Sequence, residues 1–115
     1  MSRKIRRGDI YYIDLMLGVG SEQIGSRPVL ILSNDAGNKH SNTVIAAAVT
    51  SKLGKTKLPT HCLIKKQQGL GCNSLVLLEQ VQTIDKIRLK EYIGTLDSDA
   101  MKKIDRALAV SVGLR

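Results

Sequence analysis

Phenylalanine and tryptophan are absent from this 115-residue chain, and its aromatic residues are Tyr11, Tyr12 and Tyr92. A binding surface built from several stacked rings is therefore unavailable, so any nucleic-acid site must work through charge and hydrogen bonds. Pro28 and Pro59 are the only prolines, no repeat or low-complexity segment occurs, and residues 1–115 read as a single domain. No apolar run approaches the roughly 18 residues of a bilayer span. The basic start from Met1 to Arg7 leads into Gly8-Asp9 and not into an apolar segment, so the chain is expected in the cytoplasm with no membrane partner. Cys62 and Cys72 lack the paired spacing of a zinc or redox motif and are expected as two reduced, partly buried thiols. What is present suffices for one core: 43% of the residues are hydrophobic, which excludes intrinsic disorder, and 12.6 kDa excludes a modular enzyme.

Negative charge is missing where positive charge collects. From Ala36 to Leu78 there is no Asp or Glu, while Lys39, Lys52, Lys55, Lys57, Lys65 and Lys66 carry most of the net charge of +8. Such a stretch is the footprint of a polyanion site, or else a solvated lysine-rich loop that keeps the protein soluble. Asp9, Asp14, Glu22 and Asp35 sit singly, which supplies no clustered carboxylates for a pair of magnesium ions; no metal and no cofactor is expected.

The elements come in close succession. Gly8 to Asp14 alternates as a strand, and a glycine-bearing loop follows from Leu15 to Ser26. Pro28–Leu32 and Val44–Val49 are apolar runs of central-strand length, separated by a polar turn-rich stretch from Ser33 to Asn42. Thr60–Ile64, Leu75–Leu78 and Val81–Ile84 bring the count to five or six strands, which suggests a small antiparallel barrel. Lys86–Tyr92 is open between a short helix after Asp85 and a strand. Past Asp97-Ser98-Asp99, an N-cap with first-turn negative charge, Met101, Ile104, Leu108 and Val112 recur at helical spacing, so a C-terminal helix should pack on the barrel.

Two positions have phosphate chemistry. Arg27 ends the polar loop Gly20–Ser26 just ahead of a Pro-started strand, and its planar fork can hold two phosphate oxygens; the plain alternative is an ion pair to Glu22 or Asp35. Thr50 leaves the apolar strand directly ahead of the lysine-rich loop and could donate to a phosphate oxygen, or be only a β-branched strand residue.

The ordered series Arg7-Gly8-Asp9-Ile10-Tyr11, Gly20-Ser21-Glu22-Gln23, Arg27-Pro28-Val29-Leu30, Asn34-Asp35, Thr50 and Leu78-Glu79-Gln80-Val81 closely resembles the MazF/PemK family of toxin endoribonucleases, nearly end to end. With Leu58-Pro59-Thr60-His61 and Thr83-Ile84-Asp85-Lys86 also in place, it looks most like the Firmicute type. The resemblance implies a homodimer of small SH3-like barrels, mainly β with a C-terminal helix. It also implies a metal-independent cut in single-stranded RNA or mRNA at a short sequence, and inhibition by a MazE-type antitoxin. Carried over by position, the catalytic Arg falls on Arg27 and the catalytic Thr on Thr50, while Ser21 and Gln23 fall on RNA-holding loop positions and Glu22 on a loop organiser. His61 and Gln80 have hydrogen-bonding groups suited to unpaired bases, although His61 could be a plain strand histidine and Gln80 could mark a strand end. The proton acceptor stays open, with His61 and His40 as candidates and His40 the more structural. Two stretches depart from the family pattern, Gln67 to Asn73 and Leu15-Met16-Leu17, and both bear on base preference.

RNA carries its own nucleophile, so such an enzyme needs to orient the 2′-hydroxyl, stabilise the phosphorane and assist the departing 5′-oxygen, leaving a 2′,3′-cyclic phosphate and a 5′-hydroxyl. Two rivals predict otherwise. A gyrase-poisoning toxin of the same fold, like the CcdB relatives, would use an aromatic C-terminal tail, whereas this chain ends Val112-Gly113-Leu114-Arg115. A basic RNA-binding module would bind tightly and cut nothing.

Overall fold

A computed structural model describes residues 3–14, 26–54, 58–66 and 70–115. Each strand owes its place to an apolar side that must be covered. β1 (Asp9–Asp14), β2 (Ser26–Ile31), β3 (Thr43–Thr50), β4 (His61–Ile64), β5 (Ser74–Asp85) and β6 (Leu89–Thr95) form a six-stranded sheet in the order β4-β5-β3-β2-β1-β6, and every pairing is antiparallel. Among the described residues β4 and β6 are its two edges. Alternation along the strands divides the apolar residues between two faces. One face carries Ile10, Leu30, Ala47, Val49, Val76 and Leu78 and lies under α2 (Ser98–Ser111); the other carries Tyr11, Ile13, Val29, Ile31, Val44, Ala46 and Ile84, with Ile5 packed against it.

The C-terminal helix follows its capping signal. The Asp97 carboxylate accepts the Ala100 backbone N–H at 2.8 Å, and Met101, Ile104 and Ala107 are buried on the sheet. The expected apolar row stops early, because Val112 is the C-cap residue and is exposed, while the Ser111 hydroxyl donates to the Leu78 carbonyl at 2.6 Å. Arg7 ties the helix to the chain start: its guanidinium donates to Asp105 and, at 2.9 Å, to the Leu32 carbonyl. Ile104 is fully buried between helix and sheet, so Ile104→Ala is expected to cost about 2–5 kcal/mol through lost burial and the cavity left behind, read as a lower urea midpoint.

Three local features differ from the sequence expectation. The turn-rich stretch 33–42 contains α1 (Asp35–His40), capped by Asn34, whose side chain accepts the Gly37 N–H at 2.7 Å; its side chains give no apolar period, so only the cap was readable. Leu75–Leu78 and Val81–Ile84 are one strand, β5, interrupted by a bulge: Ala47 pairs with Val81 but Ala48 with Leu77, so Leu78, Glu79 and Gln80 form the irregular stretch. Lys86–Arg88 is a single 3-10 turn, after which the open segment is a strand, β6, because Tyr92 and Leu89 pair with Tyr11 and Ile13. Gly8, at φ +95°, makes the turn into β1, a backbone region that side-chain-bearing residues rarely adopt. Cys62 is buried as expected, whereas Cys72 is exposed; both are free.

Candidate active site

Arg27 and Thr50 are brought together by strand register. Val29 pairs with Ala48 and Leu30 with Ala47, and the same register carried two residues further sets Arg27 opposite Thr50, where β2 begins and β3 ends. On the other side of each, Arg27 pairs with Ile13 and Thr50 with Leu75. A row therefore crosses the sheet as Leu89, Ile13, Arg27, Thr50, Leu75 and Leu63, two polar groups set between apolar neighbours. Flanking hydrocarbon lowers the local dielectric and strengthens what a cation and a hydroxyl can do to a bound phosphate.

Thr50 has a defined donor direction. Its Oγ1 accepts the Lys52 backbone N–H at 3.1 Å, which occupies a lone pair and leaves the hydroxyl proton to be donated outward. Arg27 is half-buried, and its guanidinium makes no hydrogen bond or ion pair with any other described residue. The pair to Asp35 does not form. Asp35 instead caps the chain start, accepting the Arg7 N–H at 2.7 Å, and this backbone hydrogen bond, with further help from Asn38 and the nearby Arg6 and Arg7, holds its carboxyl below the ordinary range. Ser21, Glu22 and Gln23 lie outside the described residues.

His61 reaches the same face, since it pairs with Leu77, which in turn pairs with Ala48. Its ring is fixed at both nitrogens. Nε2 lies 3.0 Å from Glu79 Oε2, and Nδ1 accepts the Leu58 N–H at 3.4 Å, an arrangement that puts the proton on Nε2. Both ring nitrogens have partners, so the contacts with Glu79 and the Leu58 amide fix the orientation in which the ring is presented. His40 is not at the site: it ends α1, at the opposite end of β2 and β3 from Arg27 and Thr50. Gln80 is exposed in the β5 bulge, in the interior of the strand and not at its end.

Glu79 is the site component that residue spacing could not show, because β4–β5 pairing alone brings it to His61. Its second oxygen accepts the Thr60 hydroxyl at 2.8 Å. Partial burial pushes the Glu79 carboxyl up, but hydrogen bonds from Thr60, its own backbone amide and His61 outweigh this, and it lies below the usual carboxylate range. A depressed folded-state value adds stability above the unfolded pKa and loses it as pH falls through the folded one. The stability gap between wild type and Glu79→Gln, followed by urea denaturation, should thus be full at neutral pH and shrink below about pH 4. A constant gap across that range would show that the carboxylate charge is not what Thr60 and His61 hold.

A groove of about 580 Å³ lies between β4 and α2 and is lined by neither Arg27 nor Thr50. Among the described residues no three His, Cys, Asp or Glu side chains gather as metal ligands, and no helix is long and apolar enough to cross a membrane.

Residues 6–112 match the family model described as PemK-like, MazF-like toxin of type II toxin-antitoxin system. The chain belongs to this family. The MazF-like fold is equally plain in solved structures. An endoribonuclease in complex with its cognate antitoxin from Mycobacterial species is 31% identical with a TM-score of 0.78, over 96% of this chain and 97% of that one. The Mycobacterium tuberculosis toxin MazF-mt6 is 25% identical with a TM-score of 0.77, over 93% and 98%. A MazE-MazF structure from Deinococcus radiodurans, 22% identical with a TM-score of 0.80 over 99% and 100%, shows the likeness of fold. These PemK/MazF relatives are mycobacterial and deinococcal, so the likeness to the Firmicute type rests on the sequence motifs.

Proposed function

We propose that this toxin is a sequence-specific, metal-independent endoribonuclease acting on single-stranded RNA, with Arg27 and Thr50 as its catalytic residues. The observation that carries the reading is their register: a guanidinium with no partner among the described residues faces a hydroxyl whose proton is free to donate. The RNA 2′-oxygen attacks the adjacent phosphorus, the P–O5′ bond breaks, and the products are a 2′,3′-cyclic phosphate and a 5′-hydroxyl. Arg27 holds the phosphate, neutralises the charge that accumulates on the phosphorane and hydrogen-bonds the departing 5′-oxygen; Thr50 donates to a non-bridging oxygen. The step is balanced in protons: the attacking 2′-hydroxyl gives one up to solvent and the departing 5′-oxygen takes one up. Ser21 and Gln23 hold the strand from the first loop, organised by Glu22, while His61 and Gln80 offer edges for unpaired bases. The relatives named above, an endoribonuclease and its antitoxin complex among them, support this reading.

The same reading makes the protein a cytoplasmic homodimer held in check by a MazE-type antitoxin. A flexible acidic segment that folds over a basic surface would cover the RNA site, so RNA and antitoxin should compete. The test is a long mixed-sequence RNA incubated with the toxin in excess EDTA, with every new end mapped. Cuts confined to one short motif and bearing 5′-hydroxyl ends are expected. Intact RNA would overturn the reading in favour of a binding module, and gyrase-dependent DNA cleavage would reassign the toxin to the CcdB-like class.

A further inference from the structure

Glu79 is the first acid after the acid-free stretch from Ala36 to Leu78, and the fold sets its carboxylate on the side of the sheet that carries Arg27 and Thr50. Strand alternation fixes that side. Val49, Cys62 and Ile64 point into the core cluster under α2, so Thr50, His61 and Leu63 point the opposite way, as does Arg27, whose alternates Val29 and Ile31 belong to the second cluster. His61 then draws Glu79 to the same side, with Nε2 3.0 Å from Oε2. Two strand spacings and two residues separate His61 from Thr50, about 10 Å across the sheet and about 7 Å along it. The carboxylate therefore lies away from the scissile phosphate and within the span of a short single-stranded motif.

An acid in this position repels the phosphate backbone, and among the described residues its ion-pair partner is His61 and not a Lys or Arg. Hydrogen bonds hold it instead. The Thr60 hydroxyl donates to Oε1 at 2.8 Å, His61 Nε2 meets Oε2 at 3.0 Å, and the Glu79 backbone amide adds a further bond. An ionised carboxylate has about four acceptor positions, so at least one stays open, and the side chain is 35% exposed. The β5 bulge at Leu78, Glu79 and Gln80 is the device that aims it, as bulges re-aim side chains elsewhere. Such a group only accepts, so what it can receive from RNA is a donor. Phosphate offers none. Adenine N6, cytosine N4 and guanine N2 each offer an exocyclic amino group, whereas uracil presents the carbonyl oxygen O4.

We propose that Glu79 is a specificity-determining residue, whose open acceptor receives the exocyclic amino group of one unpaired adenine, cytosine or guanine in the cut motif and rejects uracil at that position. The inference rests on the endoribonuclease reading and adds a base-reading group to it. Thr60 and His61 hold the carboxylate in place before RNA arrives, so forming the bond costs little further ordering. Rejection comes from the same geometry, because uracil would set one acceptor against another.

The test removes the amino group from the RNA and the charge from the protein. Once the motif is mapped, each adenine, cytosine and guanine in it is replaced singly by the analogue without its exocyclic amino group: purine, pyrimidin-2-one or hypoxanthine. Cleavage kcat/KM is measured for the full-length wild type and Glu79→Gln, each well below its thermal midpoint. At one position the deletion should cost wild type about 10-fold or more, the size expected of a hydrogen bond to a charged group, and cost Glu79→Gln little, so that the two losses are not additive. Glu79→Gln should also accept uracil there more readily than wild type does, because the Gln amide donates to O4. Equal losses in both proteins at every position would overturn the proposal and reduce Glu79 to a support for His61 or a contact to ribose. Binding of oligoadenylate, oligocytidylate and oligouridylate separates this inference from the reading beneath it. A wild-type preference against oligouridylate that Glu79→Gln erases, in a protein that cuts no RNA, would sink the endoribonuclease reading alone.

Discussion

Replacing Arg27 with alanine should lower kcat for RNA cleavage by about 10²–10³-fold or more while leaving RNA binding within a few-fold of wild type. The size follows from its position. Arg27 is the cation that the β2–β3 register sets opposite Thr50, in a row flanked by Ile13 and Leu75, and charge gathers at that point only as the phosphorane forms. Many other cations share the work of ground-state binding, so KM should move little. Arg27→Lys should recover only part of the loss, because an ammonium keeps the charge but not the two-pronged fork. Single-turnover cleavage and equilibrium binding, measured on the same oligonucleotide, separate the two effects. A variant whose defect lies wholly in affinity would make Arg27 a binding residue and would favour the RNA-binding module. Thr50→Val should cost less, since one neutral donor is lost while the strand geometry is retained.

The largest expected effect on stability lies away from the site. Asp9 is completely buried, and its carboxylate accepts the Arg6 N–H at 2.9 Å and the Thr95 hydroxyl at 2.7 Å, with the Tyr11 hydroxyl at 3.4 Å and the Arg3 guanidinium at 3.6 Å. Arg3 also lies over the Tyr92 ring, 3.7 Å from its centre, and Tyr92 meets Tyr11 edge-on. Asp9→Ala removes the acceptor shared by the buried Tyr11 hydroxyl and the part-buried Arg6 amide and Thr95 hydroxyl, at an expected cost of about 3–5 kcal/mol, a large share of what holds a domain of this size together. Urea denaturation measures it directly; a loss below about 1 kcal/mol would mean that water replaces the carboxylate at no penalty. The same network has an alkaline signature. Burial, reinforced by the Asp9 charge, pushes the Tyr11 hydroxyl up to about 12. Because the folded protein holds that proton more tightly than the unfolded chain, stability is intact below the ordinary tyrosine value of about 10 and declines as pH rises toward 12. Tyr11→Phe should flatten that decline.

The strands and the last helix were legible because their patterns are long: continuous apolar runs for β2 and β3, and a cap followed by helical spacing for α2. The bulge in β5 was not, since Leu78-Glu79-Gln80 has the composition of a break and only pairing with β3 shows the strand continuing. At the site, the chemical types of Arg27 and Thr50 could be read from the chain, but their confrontation depends on antiparallel register across 22 intervening residues. The Glu79–His61 contact was illegible for the same reason: it joins segments apart in sequence through the pairing of β4 with β5, and a count of charge along the chain grouped Lys39, on α1, with Lys52, which follows β3 at the other end of that strand.

The most direct test of the central claim, that the substrate's own 2′-hydroxyl is the nucleophile at an Arg27/Thr50 site, is a single atom in the RNA. An oligonucleotide carrying one 2′-deoxy nucleotide immediately 5′ of the mapped scissile phosphate should bind as well as the all-ribose strand and remain uncut in excess EDTA, while the all-ribose strand is cleaved to 2′,3′-cyclic phosphate and 5′-hydroxyl ends. Cleavage of the 2′-deoxy strand at the same bond would contradict the claim, because the attacking oxygen would then have to come from water.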